Sequence, residues 1–489
     1  MGIPRAAWVL FAALMAARAL LAWLLPLGWD ETYAIAVARD YSLSFSDHPP
    51  LGFWAPVFAA DLTGIEHAFV YRLPALVFGA GTFWGLYGIG YRLGGDRVAL
   101  WTGALFAVTP IFTVLFGFMA VPDSPLGCFA ALAVLALLTL IERPYAGLWL
   151  WLAGGAALGL ALMSKYHAGL FALSILVFAL ASRTGRGCLV RPGFWLAVGV
   201  ALLGLLPVLA WNIGNDWASF GFHSGRTSTS FQPANFSKML AIQTVMLLPP
   251  VALLCLRGLI HAGRRRDPAL GLVAAVALGP ILAFSLVFAL TPLSFAHWTM
   301  PGWLFAIPLA ALWLSHQDTA RVRRNARWVA GFAIPFWLLV PVFLLHVHTG
   351  LLTRFTHDTA PLWDDTRSVF DYAPLRGALA ERGLLEGTDV LVAREWIEGG
   401  VFSTALHGAY PVRLIEGDLH HFRYLPGMTA TGETLALSAH LIPDAGAQAQ
   451  AFLSKVRQLD AGATLHEPVI LTRGGRPYLN ISVVSLTLR

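Results

Sequence analysis

The chain has 489 residues, 57% hydrophobic and 12% charged, with a mean hydropathy of +0.66. Soluble globular domains carry about 45–50% apolar and about 25% charged residues, so this balance excludes a soluble protein and indicates a polytopic membrane protein. The net charge of +6 is what arginines at cytoplasmic helix ends produce, so no nucleic-acid partner is expected. Cys128, Cys188 and Cys255 lie in or beside apolar runs without metal-like spacing, which argues against a zinc site or a disulfide framework.

In chain order, Arg5 precedes a first apolar run at 6–26. No small-x-small cleavage site precedes Asp30, so this run reads as an uncleaved helix. Further runs near the ~20 residues that cross a bilayer fall at 68–91, 98–117, 124–141, 145–163, 167–182, 193–211, 239–257, 268–290, 298–315 and 327–347. The expectation is therefore a mainly α membrane domain over 1–349 with about 11 transmembrane helices. Arg18 falls midway along the first run and requires an internal partner or a wet cavity.

The connecting loops sort by charge. One set carries Arg92 and Arg97, Arg143, Arg183 to Arg191, Arg264 to Arg266, and Arg321 to Arg327; the alternate set carries Asp30, Glu31, Asp47, Asp61, Glu66, Asp123 and Asp216. Basic loops stay in the cytoplasm, which places the acidic loops and the C-terminus outside. The first external loop, 27–66, contains YSLSFSDHPPLGFW, where an acid and two prolines are tolerable because water is at hand. Within it, a short helix is expected over Ala34–Tyr41, just after Asp30. The segment between Asn212 and Gln243 is long and rich in Ser, Thr, Gly and Phe, a pattern suited to a lid. From residue 350 charges become frequent and no run is long enough to span. An amphipathic helix over Asp371–Arg382 and strands at 389–393 and 480–488 predict a small α/β extracytoplasmic domain over 350–489.

The ordered elements Asp30-Glu31, Asp47-His48-Pro49-Pro50-Leu51, Pro122-Asp123 and Ser164-Lys165-Tyr166 resemble bacterial family 39 glycosyltransferases of the GT-C superfamily. Relatives of that family include protein O-mannosyltransferases and the lipid A aminoarabinose transferase. Trp211-Asn212, Asp216 to Phe220, and His297-Trp298 extend the likeness, which covers about residues 1–320. The resemblance implies a polyprenyl-phosphate-linked sugar as donor and a lipid, glycan or protein acceptor, with lipid A or lipopolysaccharide among the candidates. It also implies a bacterial inner membrane with the active site on the periplasmic side.

It assigns the catalytic candidates Asp30, Asp123 and Glu31, with Asp30 as the acceptor-side carboxylate. An acid at a helix start also caps, so Asp123 and Glu31 each have a structural alternative. Lys165, Arg226 and His48 are implied to hold the donor phosphate. Lys165 can instead snorkel to the interface, and Trp298 and Trp303 suit an interfacial belt. His48 stands where aminoarabinose-type relatives carry a lysine, and at neutral pH a histidine is only partly charged. Asp47 and His223 are implied metal ligands, which leaves a divalent metal ion open as cofactor. The rival class is a transporter or lipid flippase. Transporters place polar residues on broken helices at mid-membrane and often carry inverted repeats, whereas these acids gather at the external rim.

Overall fold

A computed structural model describes residues 3–143, 147–224, 233–290, 295–352, 364–442 and 445–489, with the side chains of His223, Ser224 and Asp365 outside the description. The helices are α1 Arg5–Leu24, α2 Trp29–Ala38, α3 Leu51–Thr63, α4 Ala68–Val108, α5 Pro110–Val114, α6 Asp123–Glu142 and α7 Leu148–Ser164. They continue as α8 Ala168–Ala181, α9 Arg183–Leu189, α10 Pro192–Leu203, α11 Leu206–Gly214, α12 Ala218–Ser224, α13 Pro233–Leu247 and α14 Pro249–Gly263. Then come α15 Pro268–Ala289, α16 Met300–Ser315, α17 Thr319–Thr349, α18 Pro374–Glu381, α19 Trp396–Ala405 and α20 Ala445–Val456. Six described helices are long and apolar enough to cross a membrane, or nine if each of three bent pairs is one span. Two shorter apolar helices, α3 and α7, accompany them.

Several expected spans are not straight rods, and prolines and glycines account for this. The runs expected at 68–91 and 98–117 form a single element, α4, interrupted where Gly94 and Gly95 leave helical geometry. Gly95 has φ +74°, a conformation that costs glycine little and other residues much. The second of these runs then stops at Val108, because Pro110 cannot donate to the preceding turn and opens α5 instead. The run expected at 239–257 is bent by 103° between α13 and α14, at Leu248 (φ +66°) before Pro249.

The chain divides into two units: Met1–Ala22, Ser42–Ala59 and Phe69–Trp337 form one, and Trp23–Tyr41, Ala60–Ala68 and Leu338–Arg489 the other. The second therefore takes in more than the expected 350–489, since α2 packs on α19.

In the first unit a buried aromatic series that includes Phe83, Phe106, Phe112, Phe116, Phe171 and Phe305 lines the core. Gly155 and Gly159 on α7 meet the backbone of Ala197 and Ala201 on α10, the close small-residue contact by which helices associate in lipid. Arg18 finds its partners in protein: Nη1 and Nη2 donate to the carbonyls of Gly79 and Phe112, each at 3.1 Å, and the guanidinium lies 5.0 Å over the Phe106 ring. Arg72, equally buried, donates to the Ala22 carbonyl at 3.1 Å.

The second unit carries a six-stranded sheet, built from β1 Val390–Ala393, β2 Val412–Leu414, β3 Gly432–Leu441, β4 Thr464–Leu465, β5 Val469–Arg473 and β6 Arg476–Leu488. The strand order is β2-β1-β3-β6-β4, with β5 also on β6. β1 pairs in parallel with β2 and β3, whereas β3 and β6 are antiparallel from Gly432↔Leu488 to Leu441↔Leu479. Val390, Val392, Ala436, Val484 and Leu486 bury one side beneath Phe452 and Val456 of α20. Strands at 390–393 and 476–488 match the sequence expectation, and the helix expected over Asp371–Arg382 is confined to α18, whose Pro374 suits a first helical turn.

Candidate active site

The DHPP segment is a closed turn. The Phe45 N–H donates to the His48 carbonyl at 3.0 Å, and Pro49-Pro50 lead into α3, where Phe53 and Trp54 N–H groups donate to the Pro50 carbonyl. The Phe53 ring packs on both Phe45 and His48, with centroids 4.8 and 5.1 Å apart. Asp47 is buried, and its Oδ2 lies 3.3 Å from His48 Nδ1, an ion-pair distance without hydrogen-bond geometry.

Gly52 decides what this turn rests on. A Cβ there would lie 2.6 Å from the Cα of Pro122, far inside van der Waals contact. Only glycine lets the start of α3 approach the VPD segment this closely. Asp123 follows Pro122 as the first residue of α6. Lys165, in extended conformation, caps the C-terminus of α7. Its Nζ donates to Asp123 Oδ2 at 2.7 Å, with side chains only 6% and 5% exposed. An ammonium has three donors, and among the described residues Lys165 makes no other side-chain hydrogen bond and Asp123 Oδ1 has no partner.

Four further residues complete this recess. Tyr166 reaches Ser44, Asn212 and Ser219 and senses the charge of Asp47. Burial raises its phenol above the ordinary value, Asp47 adds to that, and the neighbouring Ser219, Ser44 and Asn212 side chains oppose it. Asn212 Oδ1 accepts from the Ser219 N–H at 3.1 Å, and Ser219 Oγ donates to the Phe45 carbonyl at 3.0 Å, which ties α12 to the DHPP turn. His297, in the 3₁₀ turn Ala296–Thr299, lies within electrostatic reach of Lys165, Asp123 and His48. Tyr166, Asn212, Ser219 and His297 all lie in the segments that carry the family resemblance, yet sequence gave none of them a role. Their side-chain types are common in cores, and only the packing brings them to the acids.

Asp30 and Glu31 belong to the second unit. The helix expected over Ala34–Tyr41 begins earlier, at Trp29, and ends at Ala38, so Asp30 lies in its first turn, exposed, rather than ahead of it. The cause is Glu31, wholly buried, whose Oε2 accepts from the Gly28 N–H at 2.9 Å and starts the helix there. Tyr33 anchors α2: its hydroxyl accepts from the His421 N–H at 3.1 Å, and its ring packs on Trp396 at 5.3 Å. The Arg367 guanidinium lies 5.5 Å over the Trp29 ring.

Arg226 lies outside the described residues, as does the His223 side chain, although His223 belongs to α12. Among the described residues no three His, Cys, Asp or Glu side chains converge as a metal site. Asp47 and His223 are two ligands without a described third, and no step is derived through a metal.

The first unit thus combines a multispan apolar bundle with a buried lysine–carboxylate recess at one end, and the second adds an α/β domain. This is the architecture of the GT-C fold. The crystal structure of ArnT from Cupriavidus metallidurans in the apo state shares it with a TM-score of 0.67 at 15% identity, over 97% of each chain. The same protein bound to undecaprenyl phosphate gives 0.66 at 16% identity over 98% of each chain. Arabinofuranosyltransferase AftD from Mycobacteria gives 0.52 at 16% identity, over 97% of this chain and 41% of that one. Residues 47–211 match the family model described as dolichyl-phosphate-mannose-protein mannosyltransferase. That stretch begins at the DHPP acid and contains Asp123, Lys165 and Tyr166. Sequence comparison with curated proteins returns no match.

Proposed function

We propose that this protein is a GT-C glycosyltransferase that moves a sugar from a polyprenyl-phosphate donor to an acceptor outside the cytoplasm. The observation that carries this reading is the Lys165–Asp123 pair, a buried cation with donor capacity left over. Attack by an acceptor oxygen on the anomeric carbon breaks the bond to the phosphate oxygen, and the lipid phosphate leaves with the electron pair. Lys165 and His48 hold that phosphate, and Arg226 is assigned as a second clamp. Charge-assisted donors in a water-poor recess stabilise developing negative charge far better than water does. Asp123 holds the lysine in place through their 2.7 Å contact. Asp30 is assigned as the acceptor-side carboxylate on the resemblance of the first-loop acid, and takes the acceptor proton.

The membrane is the bacterial inner membrane, and the acidic loops together with residues 350–489 face the periplasm, a reading supported by the arginine-bearing loops. The acceptor is a lipid such as lipid A, another glycan or a protein; a phosphate acceptor, already ionised, needs no base from Asp30.

Labelled polyprenyl-phosphate sugars incubated with the purified protein and candidate acceptors test this. Wild type should transfer label. Asp30→Asn should slow transfer to a hydroxyl acceptor by about 10²–10⁴-fold with donor binding much less affected. Uptake of a substrate into vesicles, without transfer from any donor, would overturn the reading in favour of a transporter.

A further inference from the structure

At the other end of the first unit lies a cavity of about 410 Å³ that the proposed reaction does not use. Asp123 starts α6 and Glu142 ends it, and 20 helical residues rise about 30 Å, so this cavity is roughly a bilayer core away from the recess. Its floor is apolar, formed by Leu93, Ile141, Leu270 and Leu312, and its rim is charged, formed by Arg92, Glu142, Arg265, Asp267 and His316. The volume lies in the range of small-ligand sites, about 300–1,000 Å³. The helix break at Gly94 opens onto it.

The rim charges fall into two kinds. Arg92 and Glu142 neutralise each other in an ion pair. Asp267 caps α15 through one oxygen only: Oδ1 accepts from the Ala269 and Leu270 N–H groups at 2.8 and 3.1 Å. Among the described residues, Arg265 makes no side-chain hydrogen bond or ion pair, and Asp267 Oδ2 accepts none. Beside the rim, the His261 ring lies tilted against His316 with centroids 5.3 Å apart, and its buried Nε2 has no described partner. One unspent cation and one unspent carboxylate oxygen therefore stand two residues apart over an apolar floor, at the edge of a membrane-spanning bundle.

We propose that this cavity binds the headgroup of a zwitterionic phospholipid bearing a primary amine, with the phosphate on Arg265 and His316 and the ammonium on Asp267. A purely anionic headgroup would meet two carboxylates in the rim with no net positive charge to compensate. A quaternary ammonium is recognised by aromatic faces, and the described lining contains no Phe, Tyr or Trp. A primary ammonium, by contrast, donates hydrogen bonds to carboxylate oxygens. The apolar floor accommodates the glycerol and the first acyl carbons, which a soluble phosphoamine lacks.

The test is native mass spectrometry of the full-length protein in mild detergent. It is titrated with phosphatidylethanolamine, phosphatidylcholine and phosphatidylglycerol of one acyl composition. Phosphatidylethanolamine should bind about 10-fold or more tightly than the other two, the scale of one charge-assisted hydrogen bond. Arg265→Gln should abolish the preference; Arg265 is exposed and unpaired, so its loss leaves the fold intact. Asp267→Ser, which retains a capping oxygen, should do the same, and Arg323→Gln, away from the cavity, should not. Equal binding of the three lipids, or a preference that survives Arg265→Gln, would overturn the assignment. Displacement of bound lipid by millimolar glycerophosphoethanolamine would overturn the lipid source and leave a soluble phosphoamine as ligand.

Discussion

Lys165 Nζ donates to Asp123 Oδ2 at 2.7 Å across 42 positions of sequence, and both side chains are nearly withdrawn from solvent. Removing one partner of such a pair strands a buried charge, which typically costs 3–5 kcal/mol. Lys165→Met and Asp123→Asn should each lower the melting temperature in detergent, and the double substitution should recover part of the loss. Lys165→Met combined with Asp123→Asn should also weaken inhibition by polyprenyl phosphate about 10- to 150-fold, as loss of a charge-assisted contact implies. Unchanged inhibition in this folded double variant would reduce Lys165 to a structural ion-pair partner.

Gly52 holds the DHPP turn against Pro122, so Gly52→Ala should push α3 away from the VPD segment. Overpacking of this kind costs about 1–3 kcal/mol. Transfer should fall more than stability does, because Asp47 and His48 move relative to Asp123. Gly169→Ala, where a Cβ meets nothing within 4 Å, is the control. Equal activity of the two variants would show that the contact does not position the turn.

In the second unit Asp364 joins a buried network. Arg473 Nη1 donates to its Oδ2 at 2.6 Å, Tyr478 donates at 3.2 Å, Thr366 hydrogen-bonds Oδ1, and His346 Nε2 lies 3.3 Å from that oxygen. Burial by itself would raise the Asp364 carboxyl, but the Thr366 hydrogen bonds and the Arg473 charge outweigh it and hold the group below its ordinary value of 3.8. A carboxyl depressed in the folded state contributes stability above its unfolded value and loses it as pH falls through the folded one. Thermal melts should therefore weaken as pH drops below about 4, and Asp364→Asn should be less stable at neutral pH with part of that acid dependence removed. A variant melting like wild type at neutral pH would exclude a stabilising role for the network.

Orientation is tested by C-terminal fusions. Alkaline phosphatase, active only when exported, should be active at the C-terminus, and a GFP fusion expressed equally should be dark. The reverse pattern would place Asp123 and Lys165 on the cytoplasmic side and remove the proposed donor geometry.

Sequence by itself determined the membrane class, most of the apolar elements, the alternation of basic and acidic loops, and strands at 389–393 and 480–488. Each of these is a local property: apolar run length, charge beside a run, β-branched content. It also marked the segments carrying Asp47, Asp123 and Lys165, because their order resembles a known family. Only the tertiary structure decided that Lys165 meets Asp123, that Arg18 donates to carbonyls 61 and 94 positions away, and that Gly52 rests on Pro122. It also set the strand order β2-β1-β3-β6-β4 and the early start of α2. These depend on which surfaces approach after the helices pack, and a buried charge selects its partner from whatever that packing brings within 3 Å or so. Residue spacing along the chain carries no record of that choice.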